Sequence, residues 1–247
     1  MCTIVLAYQQ FESTPLLIGA NRDERYDRPS APPQLLDEST TILAPRDQSA
    51  GGTWIGVNEA GLIVALTNRW GAPAGTGERS RGLLVRDLLD HGDAQSAARA
   101  TERELDTTLY DGFYLVCADE NNAILIENSG GPLIRTLTPG VHVVMNVGYD
   151  TSYRIPSEHA ESAQQQAANG RELLALLRTE PDEAPASWRD RTATALSNHD
   201  RGVCVHGDGF GTRSSSLIQV SDDAINYWFA DGPPCETSYD HVDERLR

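Results

Sequence analysis

The feature that most restricts the fold is a set of short segments that are apolar at successive positions. Ile4-Val5-Leu6-Ala7 is one and Leu62-Ile63-Val64-Ala65-Leu66 another. Side chains of a strand alternate between two faces, so a strand apolar at every position must be covered on both. The first such strand is read at Thr3–Tyr8. A second apolar run, Pro15–Ala20, ends in Asn21-Arg22-Asp23-Glu24. Residues 28–47, rich in Pro, Ser and Asp, read as loop with room for one short strand. Thr53–Val57 and Leu62–Thr67 form a hairpin around Asn58-Glu59-Ala60-Gly61.

After a Gly/Ala/Pro loop at 71–77, Ser80 caps a helix to about Asp90, and a second helix covers Asp93–Leu105. Strands follow at Gly112–Ala118, Ala123–Glu127, Leu133–Thr136 and Val141–Met145. Helices at His159–Arg178 and Ala186–Leu196 precede strands near Val203, at Ser214–Val220 and at Ala224–Phe229. This order predicts an α+β protein. Three-layer and four-layer stacks both accommodate it, and doubly covered sheets favour a four-layer αββα sandwich. No repeat or linker divides the chain, so residues 1–247 read as a single domain.

Formal net charge is −16, from 36 acidic and 20 basic residues, and every basic residue is Arg. A surface of that sign repels nucleic acid and anionic membranes, and neither is expected as a partner. Acidic excess, few aromatics and no Lys together resemble the proteins of extreme halophiles, where concentrated salt screens self-repulsion. The four cysteines, Cys2, Cys117, Cys204 and Cys235, form no Cys-x-x-Cys pair, and no basic, apolar leader precedes them. The expectation is a cytoplasmic protein without structural disulfides. No apolar run approaches the ~18 residues of a membrane span. Oligomeric state has no signature here.

Cys2 follows Met1 directly, and Cys is small enough for the initiator Met to be removed. Removal would put an α-amine, with a pKa near ~7.7–8.0, on the same residue as a thiol. A nucleophile paired with its own terminal amine is one form of covalent catalysis. The alternative is a small residue that merely begins a strand.

Five motifs bear on this choice: Met-Cys-Thr-Ile at 1–4, Asn-Arg-Asp-Glu at 21–24, Gly-Gly-Thr-Trp-Ile-Gly-Val-Asn at 51–58, Gly-Leu-Ile-Val-Ala-Leu-Thr-Asn-Arg at 61–69 and Gly-Thr-Arg-Ser-Ser at 211–215. With them, over nearly its full length, the chain resembles the NRDE family, that of transport and Golgi organisation protein 2. More distantly it is similar to the N-terminal-nucleophile hydrolases of the penicillin V acylase and bile-salt hydrolase group.

That resemblance implies an αββα fold and a catalytic Cys2. It puts Asp23 on the acid that holds the α-amine, and Asn68 and Asn146 on two amides that stabilise an oxyanion, each such donor being worth about 2.7–4 kcal/mol. The group's substrate-binding Arg falls on Ala20, which leaves Arg22 as a displaced candidate. Asp23 and Glu24 could instead pair with neighbouring arginines, and each Asn could cap its own backbone. Arg213 could bind a carboxylate or phosphate, or pair with Asp23 or Glu24. Trp54 is read as core or pocket wall.

Cys204-Val205-His206 and His199 lack the paired spacing of a zinc motif, and Gly207-x-Gly-x-Gly lacks the strand-to-helix context of a phosphate loop. No metal or cofactor is assigned. Two functions stay open. One is an N-terminal cysteine amidohydrolase or thioesterase acting on a small acyl substrate. The other is a non-catalytic carrier of haem or an acyl-lipid ligand, although no Cys-Pro or Cys-x-x-Cys-His haem signature is present. Specificity would lie in loops 70–79 and 148–156.

Overall fold

A computed structural model describes residues 2–37, 40–72 and 77–246. The chain divides into two compact units, Met1–Asp27 with Pro139–Val242, and Arg28–Thr138 with Asp243–Arg247. All strand pairings among the described residues are antiparallel.

The first unit opens with β1 (Thr3–Phe11) and β2 (Thr14–Arg25), a hairpin that pairs Thr3 with Asn21 and Ile4 with Ala20. The chain then builds the second unit from β3 (Ser30–Asp37), β4 (Thr41–Asp47), β5 (Ile55–Asn58) and β6 (Ile63–Asn68). Helices α1 (Arg81–Leu88) and α2 (Ala94–Leu105) come next, followed by β7 (Phe113–Ala118), β8 (Ala123–Asn128) and β9 (Pro132–Thr136). These seven strands lie side by side in chain order.

Both helices begin where their caps dictate. Ser80 accepts from the Gly82 amide, and the Asp93 carboxylate accepts from the Ser96 amide at 2.7 Å. Leu84, Val85 and Leu88 of α1 and Ala94, Ala97 and Ala98 of α2 close over Val64, Leu66, Leu115 and Ile126 of the sheet. Each fully buried Leu or Ile contributes roughly 1.5–3 kcal/mol. Val57 and Ile63 are equally buried, so the sheet is covered on both faces, as its apolar runs require.

Back in the first unit come β10 (Gly140–Met145) and the short hairpin β11 (Gly148–Tyr149) and β12 (Ser152–Tyr153). Then follow α3 (Ala160–Leu176), α4 (Pro185–Leu196), β13 (Phe210–Val220), β14 (Ile225–Ala230) and β15 (Asp240–His241). The eight-stranded sheet runs β12-β11-β10-β1-β2-β13-β14-β15, which puts β1 and β2 at its centre. Val5, Ala7, Leu17, Val143, Met145 and Leu217 cluster with Leu173 of α3, Leu177 just after it, and Trp188 and Leu196 of α4. Gly19 permits the approach of α4: a Cβ there would stand 2.6 Å from Thr192 Cγ2 and 3.0 Å from Leu196 Cδ1.

The structure corrects three sequence expectations. Residues 28–47, read as loop with room for one short strand, hold two, β3 and β4. Pro32 and Pro33 fall in a register irregularity between Ala31 and Gln34 of the edge strand β3, where a missing amide costs no ladder bond. β2 continues as strand through Asn21–Arg25 because β13 pairs with that stretch. Val203 lies in a turn-rich connection containing Gly202, Gly207 and Gly209, and the strand proper begins at Phe210. Among the described residues, no helix is long and apolar enough to cross a membrane.

Candidate active site

Sheet register brings the site together. Thr3 pairs with Met145 on one side and Asn21 on the other, so Cys2, one position earlier, stands between Asn146 and Arg22 at the end of the central strand. The main-chain nitrogen of Cys2 donates to Asn146 Oδ1 at 2.9 Å, and the thiol lies 3.8 Å from the Asp23 carbonyl oxygen. Cys2 is partly exposed as a residue, yet its thiol sits in surroundings dry enough that burial pushes its pKa up. The neighbouring Asp23 charge adds to that rise, and Arg22 opposes it.

Asp23 is buried, and burial likewise raises its carboxyl pKa. Part of the rise is offset by Thr212, whose hydroxyl donates to Asp23 Oδ1 at 2.6 Å. The same hydroxyl accepts from the Val205 amide at 2.9 Å, which fixes its direction. Asn146 is steadied in turn from α3, where buried Gln166 donates its Nε2 to Asn146 Oδ1 at 3.3 Å. Two donors therefore meet on that one oxygen.

Thr212 and Gln166 were not singled out from sequence. Thr212 lies inside the Gly-Thr-Arg-Ser-Ser motif, beside the Arg213 that was. Gln166 belongs to a run of three glutamines of which it alone is fully buried, a distinction made by helix phase.

Arg22 is buried next to Cys2 and reaches Glu24 at 3.9 Å. Arg213 is the extra residue of a β-bulge, since Thr212 pairs with Asp23 and Ser214 with Arg22. Among the described residues it makes no ion pair with Asp23 or Glu24, and its buried Nε has no hydrogen-bond partner. Asn68 and Trp54 belong to the other unit. Asn68 ends β6 opposite Phe113 and is exposed, while Trp54 is half-buried and accepts from the Leu66 amide through its carbonyl. Met1, and residues 73–76 of the loop at 70–79, lie outside the described residues.

His199, Cys204, His206 and Cys235 also converge, their ligand-type atoms all lying within 4.8 Å of one another. Cys235 completes a group that the spacing of the other three did not reveal.

With a thiol just before a central strand, beside a buried acid and Asn146, the chain has the α+β framework of the N-terminal-nucleophile hydrolase fold. The solved structures agree. A Caenorhabditis elegans N-acylethanolamine-hydrolyzing acid amidase ortholog matches with a TM-score of 0.57 at 14% identity, over 88% of this chain and 92% of that one. A conjugated bile acid hydrolase variant from Clostridium perfringens matches with a TM-score of 0.54 at 13% identity, over 100% of this chain and 94% of that one.

Within that fold the chain belongs to the Transport and Golgi organisation 2 family, whose model matches residues 1–231. The Transport and Golgi organization protein 2 homolog of Homo sapiens is 30% identical over 229 residues, 84% of this chain and 83% of that protein. The Bos taurus homolog is 29% identical over 232 residues, with coverage of 84% and 83%.

Proposed function

We propose that this protein is an N-terminal cysteine hydrolase of an acyl amide or acyl thioester, active once Met1 has been removed. The observation that carries the reading is the 2.9 Å hydrogen bond that holds the Cys2 nitrogen on Asn146. That nitrogen becomes the α-amine on processing and is already oriented by a buried side chain. A neutral thiol needs a base in order to attack, and an α-amine of ordinary pKa ~7.7–8.0 has the right strength.

In the reaction the thiol proton passes to the α-amine and sulfur bonds to the substrate carbonyl carbon. Collapse of the tetrahedral intermediate expels the amine or thiol leaving group, which takes that proton. Water then cleaves the acyl-cysteine, releasing the carboxylic acid and restoring the thiol. Asp23 electrostatically favours the protonated amine. The oxyanion role of Asn68 stands on its place in the sequence motif.

The fold neighbour named as an N-acylethanolamine-hydrolyzing acid amidase supports the amide half of this proposal by analogy, and the one named as a conjugated bile acid hydrolase supports hydrolysis. The test combines intact mass with a panel of acyl amides and acyl-CoA thioesters assayed on wild type, Cys2→Ser and Cys2→Ala. Met1 should be absent from all three, and turnover should fall on the order of a thousandfold or more in Cys2→Ala. Retained Met1, or haem or acyl-CoA binding unaffected by Cys2→Ala with no turnover in any form, would replace the enzyme with a carrier.

A further inference from the structure

The second cysteine cluster does not take part in the proposed reaction. It is assembled from two loops of one unit. His199, Cys204 and His206 lie on the connection after α4, and Cys235 on the turn after β14. The Cys204 and Cys235 sulfurs are 3.4 Å apart. His206 Nε2 lies 3.1 Å from the Cys235 sulfur and 3.8 Å from that of Cys204. His199 Nδ1 is 3.2 Å from the Cys204 carbonyl oxygen, and its ring centroid is 4.9 Å from that of His206.

These separations lie close to those of ligands around one small cation. With metal–sulfur bonds near 2.3 Å and metal–nitrogen bonds near 2.0–2.1 Å, tetrahedral ligands stand about 3.3–3.8 Å from each other. The His199 contact has a second meaning. A ligating imidazole usually gives its other nitrogen to a carbonyl or carboxylate, and the Nδ1–H to Cys204 O bond leaves Nε2 to bind. Cys204 is buried, Cys235 half-buried and both histidines exposed, so an ion can reach the cluster from solvent.

We propose that His199, Cys204, His206 and Cys235 form a structural Cys2His2 site for zinc or a similar tetrahedral, thiophilic dication. Binding releases the two thiol protons to solvent, and each thiolate donates an electron pair to the metal. All four positions are filled by protein, which leaves no open position for substrate. The ion's mechanical effect is specific. Val205, between two ligands, exchanges two hydrogen bonds with Thr212: its amide donates to Thr212 Oγ1 at 2.9 Å, and its carbonyl accepts from the Thr212 amide at 2.8 Å. Thr212 in turn donates to Asp23. A metal on Cys204 and His206 therefore braces the strand entrance that holds Asp23 in place, whether or not Cys2 is catalytic.

The test uses the full chain, purified with a non-thiol reductant. It combines metal analysis, cobalt(II) titration and melting with and without chelator. The expected result is about one zinc or cobalt per chain, with the d–d bands of a tetrahedral cobalt site and a thiolate charge-transfer band. Cys235→Ser should reduce bound metal to below about a tenth of an equivalent, while Cys2→Ala keeps it, and chelator should lower the melting temperature of wild type but not of Cys235→Ser. Three results overturn the proposal: cobalt bound by wild type only with an octahedral spectrum, metal content unchanged in Cys235→Ser, or a Cys204–Cys235 disulfide found by mass in protein kept reduced throughout. The cobalt spectrum of wild type decides the matter even if the variant fails to fold.

Discussion

The two units bury polar side chains in opposite ways. In the unit built on β3–β9 the buried polar groups are closely bonded. Asn58 donates to the carbonyls of Leu89 and His91 and accepts from the amides of Ala60 and Leu62. Asp119 accepts from the amides of Ala94, Asn121 and Asn122. Arg69 meets Glu127 at 2.9 Å with both side chains buried. In the unit that contains Cys2, by contrast, Gln166 Oε1, Asn169 Nδ2, Arg213 Nε and Ser214 Oγ are buried without a hydrogen-bond partner among the described residues. A buried polar atom left with no partner at all costs about 1–3 kcal/mol. One sheet uses its polar groups to hold the fold. The other carries buried polar atoms without such bonds, among them Gln166 Oε1 beside Asn146 and Ser214 Oγ opposite Arg22, the pattern expected where function rather than stability selects a residue.

The contrast predicts that polar changes in the first kind of region cost stability and in the second cost activity. The largest effect is expected from Glu127→Ala. It leaves Arg69 charged and buried, and should lower unfolding free energy by on the order of 3–5 kcal/mol in urea titrations. A loss under about 1 kcal/mol would break the contrast at its strongest point.

The second expected effect concerns Cys117 of β7. Burial pushes its thiol from the ordinary value near 9 up to about 12, so alkylation in the native state should be roughly a thousandfold slower than in the unfolded chain. The sign follows from the same shift. The folded thiol keeps its proton longer than the unfolded one, so this group costs no stability below pH 9 and removes it as pH climbs toward about 12. Cys117→Ala should flatten that alkaline slope.

Gly19→Ala comes third, at about 1–3 kcal/mol, because the new methyl meets Thr192 and Leu196 in a closed layer. Thermal melts would measure it, and an unchanged melting temperature would mean that α4 can retreat. The smallest stability effect belongs to Gln166→Leu, within about 1 kcal/mol, since one of its two polar atoms already lacks a partner. On the proposed reading, Gln166 positions Asn146. The proposed reading expects kcat to fall as Asn146 loses its second donor, while KM stays nearly constant. A stability loss above about 2 kcal/mol with kcat intact would place Gln166 with the scaffold instead.

Much of the fold was legible because its causes are local. Ser80 and Asp93 announce their helices by side chains that can cap, and Leu62–Leu66 announces a doubly covered strand by having no polar side to show. Cys2, Asp23 and Asn146 were legible as motif positions, and the ladder explains their meeting, since β1 lies between β10 and β2. What the sequence hid is long-range. The acid's partner proved to be Thr212 rather than its neighbour Arg213, because a bulge at 213 sets which side chain shares the face of Asp23. Cys235 joins Cys204 from 31 positions away, a distance no spacing rule spans. The strands in 28–47 were hidden by prolines that an edge strand tolerates.

The bulge at Arg213 has one more consequence. With Thr212 opposite Asp23 and Ser214 opposite Arg22, removing residue 213 altogether would leave a ladder that alternates without interruption. Pairing does not need this arginine. A one-residue deletion there would heal the strand while erasing the side chain it presents. Substitution to alanine would keep the extra residue and lose the side chain beyond Cβ, guanidinium included. Comparing the two variants separates what the bend does from what the guanidinium does.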